Sequence, residues 1–182
     1  MIIGVVGPLG AGKSSIVEYL ENKGFAFYRL SGVIREKSGR GHLDRESLQN
    51  LGNELRKKYG LGILAKEVWK KIKSKNERIV IDGLRNPGEV SFFRKKNYFY
   101  LVSVIADKDI RFQRLKKRAS VRDPKTKKEF LDNENRDLKE KEGFGQQTKA
   151  TMKFGDFEII NNGSILQLYQ KIDSVLKSIH EL

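Results

Sequence analysis

Gly7-Pro8-Leu9-Gly10-Ala11-Gly12-Lys13-Ser14 follows directly on the apolar run Ile2-Ile3-Gly4-Val5-Val6, and that junction decides the fold. The run is too brief for a helix and ends at glycine, the pattern of a strand buried on both faces of a parallel sheet. Beyond the loop, Ile16, Val17 and Leu20 recur at helical spacing until Gly24 is placed to end the element. Strand, G-x-x-x-x-G-K-S/T loop and helix stand in the order that phosphate binding requires. The glycines let the loop curl so that successive backbone N–H groups face one oxygen cluster, and the helix directs its positive end there. Lys13 then bridges the terminal phosphates and the Ser14 hydroxyl can hold Mg²⁺. On this reading Gly7, Leu9, Gly10, Ala11, Gly12, Lys13, Ser14 and Ser15 surround the phosphates of ATP.

Working outward, the stretches 25–30, 78–82, 99–105 and 157–160 are apolar or β-branched and are separated by segments of helical length. Parallel strands need crossover connections, so this alternation predicts a three-layer α/β/α fold around a five-stranded parallel sheet. A closing helix over 164–180 puts Ile165, Leu168, Ile172, Val175, Leu176 and Ile179 on one core-facing side. Two stretches break the rhythm. Residues 32–74 hold amphipathic helices without a convincing strand and read as a helical insertion over one edge of the sheet. Residues 119–145 are polar, rich in both charges and poor in large apolar residues, and read as a mobile lid with little to bury. The chain is thus expected to form a single domain over 1–182, with core segments 1–31, 75–118 and 146–182.

Length, at 182 residues, allows about one domain with a core that needs no disulfide, and the absence of cysteine excludes thiolate metal sites and disulfide frameworks. No run approaches the roughly 18 apolar residues that span a bilayer. The opening MIIGVVG lacks the basic leader of a secretory signal, so a cytoplasmic protein without membrane contact is expected. The formal charge of +14 attracts anions, among them nucleotides, coenzyme phosphates and nucleic acid.

Asp82 closes the strand Ile79-Val80-Ile81, which brings its carboxylate to the same sheet edge as the glycine loop. It is the candidate to hold magnesium beside Ser14; the alternative is a capping role in the turn at Gly83. The N-K-x-D and D-x-x-G patterns of guanine-nucleotide switches are absent. Arginines supply the remaining signal: Arg35 early in the insertion, Arg85 just after Asp82, and Arg111, Arg114, Arg118 and Arg122 along one helix and into the polar segment. Phosphoryl transfer between two anions needs cations on donor and acceptor and a cover against water. Arg111, Arg114 and Arg118 share a helix face, where they repel unless an anion or acidic residues sit among them, and phosphate is a natural counter-ion; a solvated stripe is the alternative.

The stretches GPLGAGKSS, SGVIRE, DGLRNPGEV, RFQRLKKR with its polar flap, and FEIINNGSI resemble, over nearly the full length, the nucleoside monophosphate kinases of the adenylate-kinase type. The likeness is closer still to the small dephospho-CoA-kinase-like proteins of archaea and bacteria. That resemblance implies ATP on the glycine loop, the acceptor in the helical insertion, and an arginine-bearing lid. Ser31, Arg35 and Arg85 then hold the acceptor, Lys13, Asp82, Arg118 and Arg122 serve the transfer, and Arg114, Asn161 and Gly163 lie around the donor. Adenylate kinases carry T-G-D before the acceptor arginine and D-G-F-P-R after the third strand; the segments here are each one residue shorter. Dephospho-CoA kinases carry D-x-D after the second strand, where Tyr28-Arg29-Leu30-Ser31 stands.

In LDRESLQNLGNELRKKYG the residues Leu48, Leu51 and Leu55 form an apolar face, while Gln49, Asn53 and Arg56 lie elsewhere. Gln49 and Asn53 are therefore candidates to read the acceptor, against the alternative of a polar face turned to water. His42 receives no role. The expected activity is ATP·Mg²⁺-dependent phosphoryl transfer to a nucleoside or deoxynucleoside monophosphate, by a monomer or small homo-oligomer. Dephospho-CoA as acceptor, and an RNA- or ribosome-associated ATPase, are the alternatives.

Overall fold

The computed structural model describes residues 1–39, 43–72, 78–96, 98–121, 123–138 and 143–181. Strands β1 (Ile2–Val6), β2 (Ala26–Arg29), β3 (Ile79–Asp82), β4 (Phe99–Ile105) and β5 (Phe157–Ile160) form one five-stranded sheet in the order β2-β3-β1-β4-β5. Every pairing is parallel, as the sequence predicts. The helices are α1 (Lys13–Asn22), α2 (Leu30–Ser38), α3 (Arg45–Tyr59), α4 (Ile63–Lys71), α5 (Pro87–Arg94), α6 (Lys108–Arg118), α7 (Lys127–Leu138), α8 (Thr148–Met152) and α9 (Ile165–His180).

Strand alternation divides the core in two. Ile3, Val5, Val80, Val102 and Val104 face α1 and α9, meeting Ile16, Val17, Leu20, Leu168 and Ile172. Ile79, Ile81, Phe99 and Leu101 face the other way, onto Leu30, Val33 and Ile34 of α2, Leu64, Ala65 and Val68 of α4, and Val90 and Phe93 of α5. Each of the larger side chains contributes about 1.5–3 kcal/mol on burial. From β1 the chain passes to one half of the sheet and later returns to pair β4 on β1's other side. The carboxyl end of β1 is thus a topological switch point, where diverging connections open a crevice.

Three expectations need correction. The insertion helices α2 and α4 cover a face of the sheet, because Leu30, Val33, Leu64 and Val68 supply one wall of the core; they do not merely flank an edge. The segment 119–145 is not without core: α7 buries Phe130, Glu134 and Asp137. Ile165 is not in the core either. It stands 47% exposed in the first turn of α9, beside the Ser164 and Gln167 capping box. Trp69, the single tryptophan, is half-buried on α4 with the Lys96 ammonium 4.8 Å from its ring centroid. Among the described residues no helix is long and apolar enough to cross a membrane.

Candidate active site

The loop between β1 and α1 has its shape imposed by two glycines. Gly10 has φ +80, and a Cβ there would lie 2.8 Å from the Arg111 carbonyl oxygen; Gly12 has φ +105, and a Cβ would lie 2.3 Å from Asn161 Nδ2. Close neighbours therefore clasp the loop from outside. Arg111, buried in α6, donates from Nε to the Ala106 carbonyl (2.9 Å) and from Nη1 to the Leu9 carbonyl (3.1 Å). Asn161 Nδ2 donates to the Ala11 carbonyl at 2.8 Å. Lys13 bends back, its Nζ donating to the Gly7 and Pro8 carbonyls at 2.7 and 2.9 Å. Its pKa is lowered to about 8, first by burial and then by Arg85, with Asp82 and Asp137 acting in the opposite sense and Arg45 in the same one.

The register of the sheet sets the next group. Asp82 pairs with Val5 on one side and Arg29 on the other, so the carboxylate emerges beside the loop. Arg29 Nε donates to Asp82 Oδ2 at 3.2 Å, while Asp82 Oδ1 is buried with no hydrogen-bond partner. An orphaned carboxylate oxygen lining the same cavity as Ser14 suits a hydrated divalent cation, so these two residues fit magnesium.

Arg85 is aimed by its neighbours. Its backbone N–H and that of Asn86 donate to Glu89 Oε2 (2.7 and 3.1 Å), and Glu89 Oε1 accepts from Arg56 Nε and Nη2 (2.9 and 2.8 Å). Arg56 and Glu89 are 2% and 0% exposed, so α3 is fixed to the start of α5 by a buried ion pair whose donors and acceptors are matched. Asn86 also caps α5 and donates to the Gly143 and Gly145 carbonyls, tying down the chain that follows α7.

Lys13, Asp82, Arg29, Arg56 and Arg85 open onto one cavity of about 890 Å³, while Arg111, Asn161, Asn86 and Glu89 support it from behind. The loop residues Leu9, Gly10, Gly12, Lys13, Ser14 and Ser15 line one part; Ser31, Arg35, Arg45, Gln49, Asp82 and Arg85 line another; Arg114 and Arg118 reach it from α6. The structure thus brings together most of the predicted constellation. Arg35 Nη1 donates to Ser31 Oγ at 3.4 Å. Arg114 donates to the Asn161 and Gly163 carbonyls at 2.8 and 3.2 Å, fastening the turn after β5 to α6.

Other candidates are placed differently. Asn161 spends its side-chain amide on Ala11, and neither it nor Gly163 lines the cavity. Asn53 is buried and accepts from Arg56 Nη1 at 3.2 Å, behind the cavity wall, so Gln49 alone of that pair reaches the site. Gln49, Asn53 and Arg56 do not form a water-facing side of α3: all three are buried, since α5, α7 and the residues after α7 supply their polar partners. Two arginines of α6 have protein counter-ions, Glu134 for Arg111 and Asp123 for Arg118, whereas Arg114 bonds the Asn161 and Gly163 carbonyls. Arg122 and His42 lie outside the described residues. Asp137, Glu89 and Arg45 escaped the sequence reading: Asp137 accepts from Arg45, Arg85 and Gln49, Glu89 sets the Arg85 loop, and Arg45 lines the cavity. Helical spacing carries the missed signal, for Phe130, Glu134 and Asp137 stand at i, i+4 and i+7.

Comparison with known proteins agrees with this architecture. The AAA domain family matches residues 3–139. A UPF0200 protein of Staphylothermus marinus is 32% identical over 183 residues, spanning 99% of this chain and 93% of that protein. Among solved structures, TT1252 from Thermus thermophilus superposes with a TM-score of 0.63 at 20% identity, covering 98% of this chain and 97% of its own. Shikimate kinase from Aquifex aeolicus gives 0.56 at 16% identity, covering 97% and 96%. The sheet order, the clasped glycine loop and these likenesses establish a P-loop kinase-like fold, and the chain belongs to the UPF0200 family of AAA-domain proteins.

Proposed function

We propose that the protein transfers the γ-phosphoryl group of ATP to the phosphate of a nucleoside or deoxynucleoside monophosphate. The observation that carries this reading is the cationic wall facing the phosphate loop: Arg35, Arg45 and Arg85 line the same cavity as Lys13 and Ser14. An acceptor hydroxyl would need a general base, whereas a phosphate oxygen is already nucleophilic at neutral pH. Two of the three carboxylates lining the cavity favour the second case: Asp82 shares an oxygen with Arg29 and Asp123 is bound by Arg118, while Glu18 stands exposed on α1, and the end of β2 presents Arg29 in place of an acid.

With such an acceptor, catalysis reduces to alignment and charge neutralisation. Lys13 leaves the Gly7 and Pro8 carbonyls for the donor's phosphates, and Arg118 exchanges Asp123 for an oxygen of the transferring group. Arg114 holds the turn after β5 at the donor's edge. Magnesium, held through Ser14 and Asp82, supplies further neutralisation of the phosphates. The polar segment from 119 to 145 acts as the lid.

An ADP-release assay with magnesium tests this across the common ribo- and deoxyribonucleoside monophosphates and dephospho-CoA, with a control lacking acceptor. Turnover dependent on a monophosphate is expected, reduced about a hundredfold or more in Lys13→Ala. Turnover confined to dephospho-CoA would replace the acceptor class. ADP release indifferent to every acceptor would overturn the reading in favour of an ATPase that serves a macromolecule.

A further inference from the structure

One carboxylate already sits against the cationic wall. Asp137, in the last turn of α7, is 1% exposed, and a single oxygen, Oδ2, accepts from both Arg45 Nη2 and Arg85 Nη1. Its other oxygen accepts from Gln49 Nε2, and Gln49 in turn contacts Gln146 at 3.3 Å. The two arginines are not sealed off. Their side chains remain 22% and 23% exposed, and both line the cavity. Arg45 Nε is buried with no hydrogen-bond partner, so this cluster offers more donors than one carboxylate uses. A phosphate monoester brings three terminal oxygens and up to two charges, and would satisfy more of them.

The element carrying Asp137 is suited to give way. Phe130 anchors α7 through its contact with Phe112, centroids 5.5 Å apart, whereas Leu131 is exposed. Other described contacts of α7 are polar: Arg111 and Lys108 to Glu134, Arg136 to Glu46 and to the Asn50 amide oxygen, and Lys127 to Asp109. Seating a dianion beside Asp137 would crowd like charges in a buried place, so the two exclude each other.

We propose that Arg45 and Arg85 form the seat of the acceptor's phosphate and that Asp137 is its resident stand-in, expelled with the end of α7 when a phosphate monoester enters. This rests on the phosphate-acceptor reading and adds Arg45 to it as a binding residue. Acceptor binding and the docking of α7 thus compete for one pair of guanidinium groups.

Inorganic phosphate is the probe, titrated by calorimetry into protein whose loop is first saturated with magnesium and a non-hydrolysable ATP analogue. Asp137→Asn should bind phosphate about tenfold more tightly than the natural chain, a difference of about 1.4 kcal/mol, and Arg45→Gln about tenfold more weakly. In the natural chain, saturating phosphate should speed amide exchange in 132–138. That sign is opposite to ordinary stabilisation by a ligand, and it needs no variant to fold. Unchanged or weaker binding by Asp137→Asn, or slowed or unchanged exchange in α7, overturns the proposal. If monophosphates support turnover while these signs fail, only the stand-in is wrong. If the signs hold while no acceptor supports turnover, the anion seat stands and the kinase reading falls.

Discussion

Lys13 shows how a single residue couples the phosphate site to pH. Burial, aided by Arg85, brings its pKa to about 8, so the free protein loses the proton as pH rises through that value. Nucleotide phosphates favour the charged amine, and binding above pH 8 must therefore take up a proton. ADP affinity is expected to fall by up to tenfold per pH unit between about 8 and 10. Calorimetry in buffers of different ionisation enthalpy should register proton uptake near one per site in that window and little at pH 7. Uptake that does not change with pH would show that Lys13 does not titrate there. The same depression has a consequence for folding. The native state holds fewer protons than the unfolded chain from about pH 8 to 10.5, so this residue's share of the stability rises over that range. At this scale the sequence was legible wherever a residue's partners adjoin it, as in the glycine loop. Asp137 and Glu89 were not, because their cationic partners lie 33 to 92 residues away and no local pattern says which acid meets which base.

For whole elements, the instructive comparison is α3 against α7. Both turn polar residues inward at core spacing: Gln49, Asn53 and Arg56 on one, Glu134 and Asp137 behind Phe130 on the other. A hydrophobicity pattern reads such a face as solvated, and the error arises because the buried surroundings are themselves polar. The central strands, buried on both faces, and the flanking helices α1 and α9, apolar on one periodic face, were legible because their burial is apolar. The uneven anchoring of α7 gives a prediction of its own. Phe130→Ala removes its one buried ring, beneath which the Arg111 guanidinium also packs at 5.3 Å from the centroid. Amides of α7 should then exchange at least about tenfold faster while those of β1 and β4 keep their protection. A uniform acceleration across the sheet would instead make α7 part of the global core.

Over the whole molecule, 37 basic against 23 acidic residues leave a surplus, part of which the cavity gathers in one place. Lys13, Arg29, Arg35, Arg45, Arg85, Arg114 and Arg118 all line it. Raising the ionic strength from about 0.05 to 0.3 M should weaken ADP binding severalfold, as screening shortens the reach of that field. The melting temperature should move much less, because the Arg56–Glu89 pair and both apolar layers are shielded from salt. A matching fall in both quantities would assign the surplus charge to folding instead of to binding. Trp69 stands apart from all of this. It lies five residues along α4 from the cavity-lining Leu64, roughly 7 Å down the helix axis. It rests under Lys96, against the layer that holds α4 to α5. The molecule's own emission is consequently a gauge of that packed layer, and loading the cavity with nucleotide leaves it dark to the event.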